Sequence, residues 1–209
     1  HTVGYLNNLI DVGKKINDSC VKLYNVPEKC SFKRLGMIDD ITALKMSSNY
    51  YQFITAIKST GQKYYNNMKL EVSEDNFNLY RDVFKKYGLG TSTGIDFDRE
   101  SYGLKGDKIS GDLLLNLAIG QYDTYTPIEL VSYINTLATK GKRYALSFKR
   151  QDNEMIDEIG LDEKYMNRIH QGFFEVVNNG TGRGYTDVKF KPAGKTGTSE
   201  SYYDKNIMT

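Results

Sequence analysis

The sequence predicts an α+β fold. Several segments carry apolar residues at helical spacing, and a run of alternating apolar residues follows them near the C-terminal end. Val3, Leu6, Leu9 and Ile10 form the first helical stripe. No N-cap precedes it, so it reads as the tail of a helix that starts before residue 1. Residues 11–38 hold both cysteines and Pro27 and read as short strands and loops. Asp39 or Asp40 can cap a helix to about Lys58, with Ile41, Leu44, Tyr51, Ile54 and Ile57 apolar. A further helix is predicted over 75–87 through Phe77, Tyr80, Val83 and Phe84, with Gly88 after it. Residues 89–111 are turn-rich, and 113–119 is a short apolar run open to either strand or helix. Pro127 sits at the first position of a helix whose inward residues should be Ile128, Val131, Ile134 and Leu137, with Gly141 ending it. Met166, Ile169, Phe173 and Val176 mark a helix over 163–178 that stops at Asn179-Gly180. Val188, Phe190 and Pro192 then alternate with polar neighbours, as a strand leading into Lys195-Thr196-Gly197-Thr198.

Composition narrows the function classes. The chain has 209 residues, 39% hydrophobic and 26% charged, enough to bury a core. No apolar run approaches the ~18 residues of a membrane span, and no signal peptide is visible. The 28 basic and 26 acidic residues are interspersed, with a formal net charge of +2, which argues against a nucleic-acid partner. No repeat or low-complexity linker divides the chain. It reads as one compact domain or a piece of one.

Two short motifs carry chemistry. Lys195 presents a cationic donor, and Gly197 keeps the chain beside it open to a closely approaching substrate backbone. The hydroxyls of Thr196 and Thr198 suit a peptide's terminal carboxylate, and the Thr198 N–H suits half of an oxyanion hole. Upstream, Ser47-Ser48-Asn49 offers a hydroxyl two residues from a carboxamide. That pair diverges around a straight helix and converges only if a helix junction occurs here. Taken singly, each motif also reads as surface: a solvated lysine beside a turn, and two polar residues on an exposed helix face.

Their surroundings resemble the transpeptidase domain of class B penicillin-binding proteins. The resemblance runs through D-I-T-A-L-K-M-S-S-N-Y-Y-Q-F at 40–53, Y-G-L-G-T-S-T-G-I-D at 87–96, I-G-Q-Y-D-T-Y-T-P-I-E-L at 119–130 and G-K-T-G-T-S-E at 194–200. It implies the penicillin-binding protein and serine β-lactamase-like fold, with helices around an antiparallel sheet that these residues hold only in part. It implies a D,D-transpeptidase that cross-links peptidoglycan stem peptides through a serine acyl-enzyme and is acylated by β-lactams. Ser47, Asn49 and Lys195 would then be catalytic, and Thr196, Gly197 and Thr198 substrate-binding. It further implies no cofactor for the chemistry, cell-wall synthesis proteins as partners, and a place outside the bacterial membrane on an anchor not in this chain. Sibling readings are a D,D-carboxypeptidase, a β-lactamase, or a non-catalytic sensor or scaffold.

The nucleophile's Ser-x-x-Lys is the departure from the pattern. Only Ser19-Cys20-Val21-Lys22 matches it. Pro27 follows closely, no helical stripe covers 19–26, and the spacing to Ser47 is about half of what the family shows. The expected serine and lysine therefore lie before His1, and residues 1–209 are read as part of a single transpeptidase domain, ending just past the KTGT strand. Cys20 and Cys30 are open to three readings: a disulfide, two separate thiols, or a structural zinc site with Asp18 and His1. His170 reads as structural. Tyr202 and Tyr203 are candidates for the groove's border.

Overall fold

The computed structural model describes residues 1–152, 154–184, 188–190 and 192–198. Helix α1 (Thr2–Leu6) is shorter than its apolar stripe, because the Leu9 and Ile10 N–H groups both turn back to the Gly4 carbonyl. Residues 11–38 form two short antiparallel pairs. Strand β1 (Ile16–Asn17) pairs with β4 (Met37–Ile38), and β2 (Cys20–Val21) pairs with β3 (Lys29–Cys30). Such short ladders are marginal alone, and the second is closed by a disulfide between the facing Cys20 and Cys30.

The predicted 39–58 helix is two helices. Asp39 caps α2 (Asp40–Lys45) by accepting the Thr42 N–H at 2.8 Å. The chain breaks at 46–48, and Ser48 caps α3 (Asn49–Ser59) by accepting the Tyr51 N–H at 3.0 Å. A serine that can bond the backbone two or three residues on competes with helix continuation. Apolar spacing runs through this break, so periodicity does not reveal it. Helix α4 (Glu74–Lys86) buries Phe77, Tyr80 and Val83, and Gly88 follows at φ +88°. The ambiguous apolar run resolves as α5 (Gly111–Ala118), with Leu114, Leu115 and Leu117 buried.

Helix α6 (Pro127–Ala138) forms as its proline predicts, with Thr126 and Glu129 completing a capping box, but turned about its axis. Of the four residues predicted inward, Leu137 is buried, whereas Val131 and Ile134 are about half exposed. Glu129, Ser132 and Thr136 face inward instead. Two contacts impose this orientation. The Glu129 carboxylate accepts N–H groups from Gly90, Gly103 and Thr126. Gly88 packs so close to Ser132 that a Cβ there would stand 2.2 Å from its Oγ. A fully buried carboxylate demands hydrogen-bond donors, and that requirement outweighs a half-exposed Val and Ile.

Strands β5 (Lys142–Tyr144) and β6 (Met155–Glu158) form a third antiparallel pair, and Asp162 caps α7 (Glu163–Asn179). Helix α7 packs on α2 at close range, because Gly172 offers no side chain where Leu44 approaches. The Asp40 carboxylate, fully buried, joins the two helices: it accepts Arg168 at 2.5 and 2.6 Å, Tyr5 Oη at 2.6 Å and the Gly13 N–H at 2.9 Å. Burial alone would raise the Asp40 pKa, yet these four donors hold it below the ordinary carboxylate value. His170 is structural, with Nε2 2.6 Å from the Leu137 carbonyl oxygen.

Among the described residues, the predicted strand over Val188–Pro192 does not form. Val188–Phe190 forms a 3₁₀ turn, and 192–198 joins no ladder among the described residues. A strand needs a partner for its backbone groups, and here the segment is held by other bonds. Among the described residues, no helix is long and apolar enough to cross a membrane.

Candidate functional site

Ser47 occupies the break between α2 and α3 at φ +55°. On a straight helix, residues 47 and 49 would point about 200° apart; the left-handed turn removes that constraint. Beneath the turn, Ser48 is buried and donates from Oγ to Asp18 Oδ2 at 2.6 Å. Ser31 donates to the same oxygen at 2.9 Å and accepts the Tyr50 N–H at 3.3 Å. Asp18 thus clamps the start of α3 through two hydroxyls. Asn49 donates from Nδ2 to the Cys30 carbonyl at 3.2 Å.

Lys195 reaches this turn from 148 residues away in sequence: its Nζ donates to Ser47 Oγ at 2.7 Å and to the Thr196 carbonyl at 2.8 Å. The residue as a whole is exposed, but its amino group is desolvated at the tip. That desolvation lowers its pKa to about 8. An amine titrating there serves equally as an ammonium donor to an anion and as a proton partner for a neighbouring hydroxyl.

The segment bearing Lys195 hangs from α7 and the chain beyond it. Gly194 N–H donates to the Phe173 carbonyl at 3.1 Å, and Asn178 Nδ2 to the Pro192 carbonyl at 3.4 Å. The Thr196 and Thr181 hydroxyls lie 2.6 Å apart, and Gln121 Nε2 donates to the Thr198 carbonyl at 3.1 Å. Gly197 faces open space, since a Cβ there would meet nothing within 4 Å. Thr198 is exposed beside it. The structure therefore brings together Ser47 and Lys195 directly, with Thr196, Gly197 and Thr198 following on the same segment and Asn49 opening the next helix. Tyr202 and Tyr203 lie outside the described residues.

The zinc expectation is corrected. Cys20 and Cys30 are bonded to each other, so neither is a thiolate, although Glu28 brings its carboxylate within 4.8 Å of both sulfurs. His1 and Asp18 are committed elsewhere. His1 lies stacked on Tyr51, its Nδ1 2.6 Å from Gln52 Nε2 and its Nε2 2.9 Å from the Asp40 carbonyl oxygen. Asp18 serves the two serines. Ser19-x-x-Lys22 does not form a helical turn: Cys20–Val21 is strand, and Lys22 Nζ donates to the Val26 carbonyl at 2.6 Å.

Sequence reasoning missed Thr181, Lys45, Gln121 and the clamping role of Asp18. Thr181 and Gln121 sit where the sequence shows only a helix stop and a polar stretch, and their partners lie 15 and 77 residues away.

The profile of the family described as "Penicillin binding protein transpeptidase domain" matches residues 3–207. Penicillin-binding protein 2A of Bacillus subtilis is 34% identical over 194 residues, covering 84% of this chain and 27% of that protein. Peptidoglycan D,D-transpeptidase MrdA of Acinetobacter baumannii is 26% identical over 140 residues, covering 56% of this chain and 20% of that protein. The solved structure of penicillin-binding protein 2B from Streptococcus pneumoniae R6 superposes with a TM-score of 0.84 at 28% identity. The match covers 98% of this chain and 38% of that one. The chain thus spans between a fifth and about a quarter of the length of these two relatives.

Proposed function

The chain belongs to the penicillin-binding protein transpeptidase domain family, and we propose that it forms the substrate-holding part of a serine-type peptidoglycan D,D-transpeptidase. The observation that carries this reading is the 2.7 Å bond from Lys195 Nζ to Ser47 Oγ, which links two motifs distant in sequence. Around it stand an open glycine, an exposed threonine and a carboxamide at the start of α3.

The reaction assigns each group a task. A serine Oγ attacks the carbonyl of the penultimate D-alanine of a stem peptide, and its lysine neighbour takes the proton. We assign neither role to Ser19 or Lys22, because Cys20–Val21 is strand and Lys22 Nζ donates to the Val26 carbonyl. Ser47 passes a proton to the departing D-alanine amine, with Lys195 holding its hydroxyl in place. Lys195 and Thr198 grip the terminal carboxylate, Asn49 orients a substrate amide, and the Thr198 N–H stabilises the oxyanion. An amine of a neighbouring stem peptide then attacks the ester and restores the serine. β-Lactams enter the same groove and stop at the acyl-enzyme. We propose that the domain works outside the bacterial cell membrane, among other cell-wall synthesis proteins.

The test is fluorescent-penicillin labelling of the full-length protein. Labelling should survive Ser19→Ala and fall at least tenfold with Lys195→Ala or Ser47→Ala, on the scale of a lost charge-assisted hydrogen bond. Labelling abolished by Ser19→Ala and indifferent to Lys195→Ala overturns the assignment.

A further inference from the structure

Thr181 is the first residue past the C-cap of α7 and belongs to neither chemical motif. Three observations single it out. Its hydroxyl is 2.6 Å from that of Thr196, a part-buried contact inside the Lys-Thr-Gly-Thr segment. Its N–H donates to the Lys45 carbonyl, the last residue of α2, at 3.4 Å. The preceding Gly180 packs so tightly on that carbonyl that a Cβ would stand 2.5 Å from its oxygen. A second link ties the same helix ends, an ion pair from Lys45 Nζ to Glu175 at 3.3 Å, with both side chains about a quarter exposed.

We infer that Thr181 is a positioning residue: rooted on the end of α2, its hydroxyl holds Thr196 against the protein, leaving Lys195 to reach Ser47 and Thr198 to read the substrate's carboxylate. Ser47 lies two residues beyond Lys45, so one end of α2 carries the hydroxyl and, through Thr181, sets the height of the lysine that meets it. The four residues then divide their work. Of the two threonines, Thr196 is spent on anchoring and Thr198 is left exposed. A side chain held by one well-placed bond keeps its reacting neighbours within the tenths of an ångström that catalysis requires.

The inference rests on the transpeptidase reading, and the experiment separates the two. Acylation rates of the full-length protein are measured with benzylpenicillin and with its methyl ester, which lacks the carboxylate. Thr181→Val keeps the shape and removes the hydroxyl; Thr181→Ser keeps the hydroxyl. The free acid should react about tenfold more slowly with Thr181→Val, one hydrogen bond's worth, while the ester changes less than about twofold. Thr181→Ser should stay within about twofold of wild type on both. An equal loss on acid and ester marks general disruption of the fold and overturns the inference, as does an unchanged acid rate or a Thr181→Ser as poor as Thr181→Val. If Lys195→Ala leaves the acid-to-ester ratio intact, the carboxylate reading itself fails, whatever Thr181 does.

Discussion

Gly172→Ala should damage both stability and the site, through the contact that seats α2 on α7. A Cβ at 172 would stand 2.8 Å from Leu44 Cβ and 2.7 Å from Leu44 Cδ1. Ordinary carbon contacts lie at about 3.5–4.0 Å, so the shortfall is roughly 1 Å. Leu44 can swing its Cδ1 away, but its Cβ is fixed to the backbone of α2, and the helix itself must move. Overpacking of this kind costs roughly 1–3 kcal/mol, which for a domain of this size lowers Tm by a few to about ten degrees. An alanine in a helix is otherwise better than glycine by about 1 kcal/mol, so the sign of the change is informative. Ser47 follows α2 by two residues, and its bond to Lys195 spans 2.7 Å. Displacing α2 by roughly 1 Å carries that bond beyond hydrogen-bonding range. Thermal unfolding of the full-length protein, read beside β-lactam acylation rates, makes the assay. Leu44→Gly in the Gly172→Ala background removes the fixed Cβ as well as the flexible end, so it should recover acylation while leaving stability low, because a cavity remains. A Tm that rises with unaltered acylation refutes the reasoning.

Gly197→Ala is the complementary case. Its Cβ meets nothing within 4 Å, so Tm should hold within about 1 °C, while acylation falls because a methyl intrudes on the open face; an unchanged rate would mean substrate does not approach there. The Lys195 pKa, lowered to about 8 by desolvation, predicts that the preference for a free-acid β-lactam over its methyl ester fades as pH rises through about 8, and that Lys195→Arg keeps it. The stability sign follows: the folded state sheds this proton before the unfolded chain does, so the group's contribution to stability rises between about pH 8 and 10.5. A ratio flat from pH 7 to 10 contradicts this. The disulfide predicts no free thiol in the denatured, unreduced protein and two after reduction. Cys20→Ala with Cys30→Ala should cost about 2–3 kcal/mol of stability, as expected for a loop of this length; two titratable thiols with bound metal would reverse the assignment.

Most helices were legible because their signals are local. Asp39, Pro127 and Gly88 mark ends by chemistry confined to one turn, and the stripe through Met166, Ile169, Phe173 and Val176 reports a buried face. Helix α6 shows where such reading stops. Its proline is a local signal and correct, but the buried face is chosen by the Gly90 and Gly103 N–H groups and by the close approach of Gly88. Among the described residues, Val188–Phe190 is a 3₁₀ turn where alternation predicted strand: alternation describes a sheet's faces, whereas a strand exists only with a partner for its backbone.

At the site, the residue types and their order belong to the sequence: a lysine, an open glycine, threonines, and a serine two residues before an asparagine. Sequence also supplied the two cysteines without saying whether they bind each other or a metal. Only the tertiary structure decided that the helix breaks at Ser47, that Cys20 faces Cys30, and that Lys195 meets Ser47 across 148 residues. The physical reason is reach. A cap or a stripe is settled within a few residues by backbone bonding and burial. A contact between distant segments depends on how closely α2 and α7 can pack, and that is set at Gly172 and Gly180, where a missing side chain leaves room for the neighbouring chain.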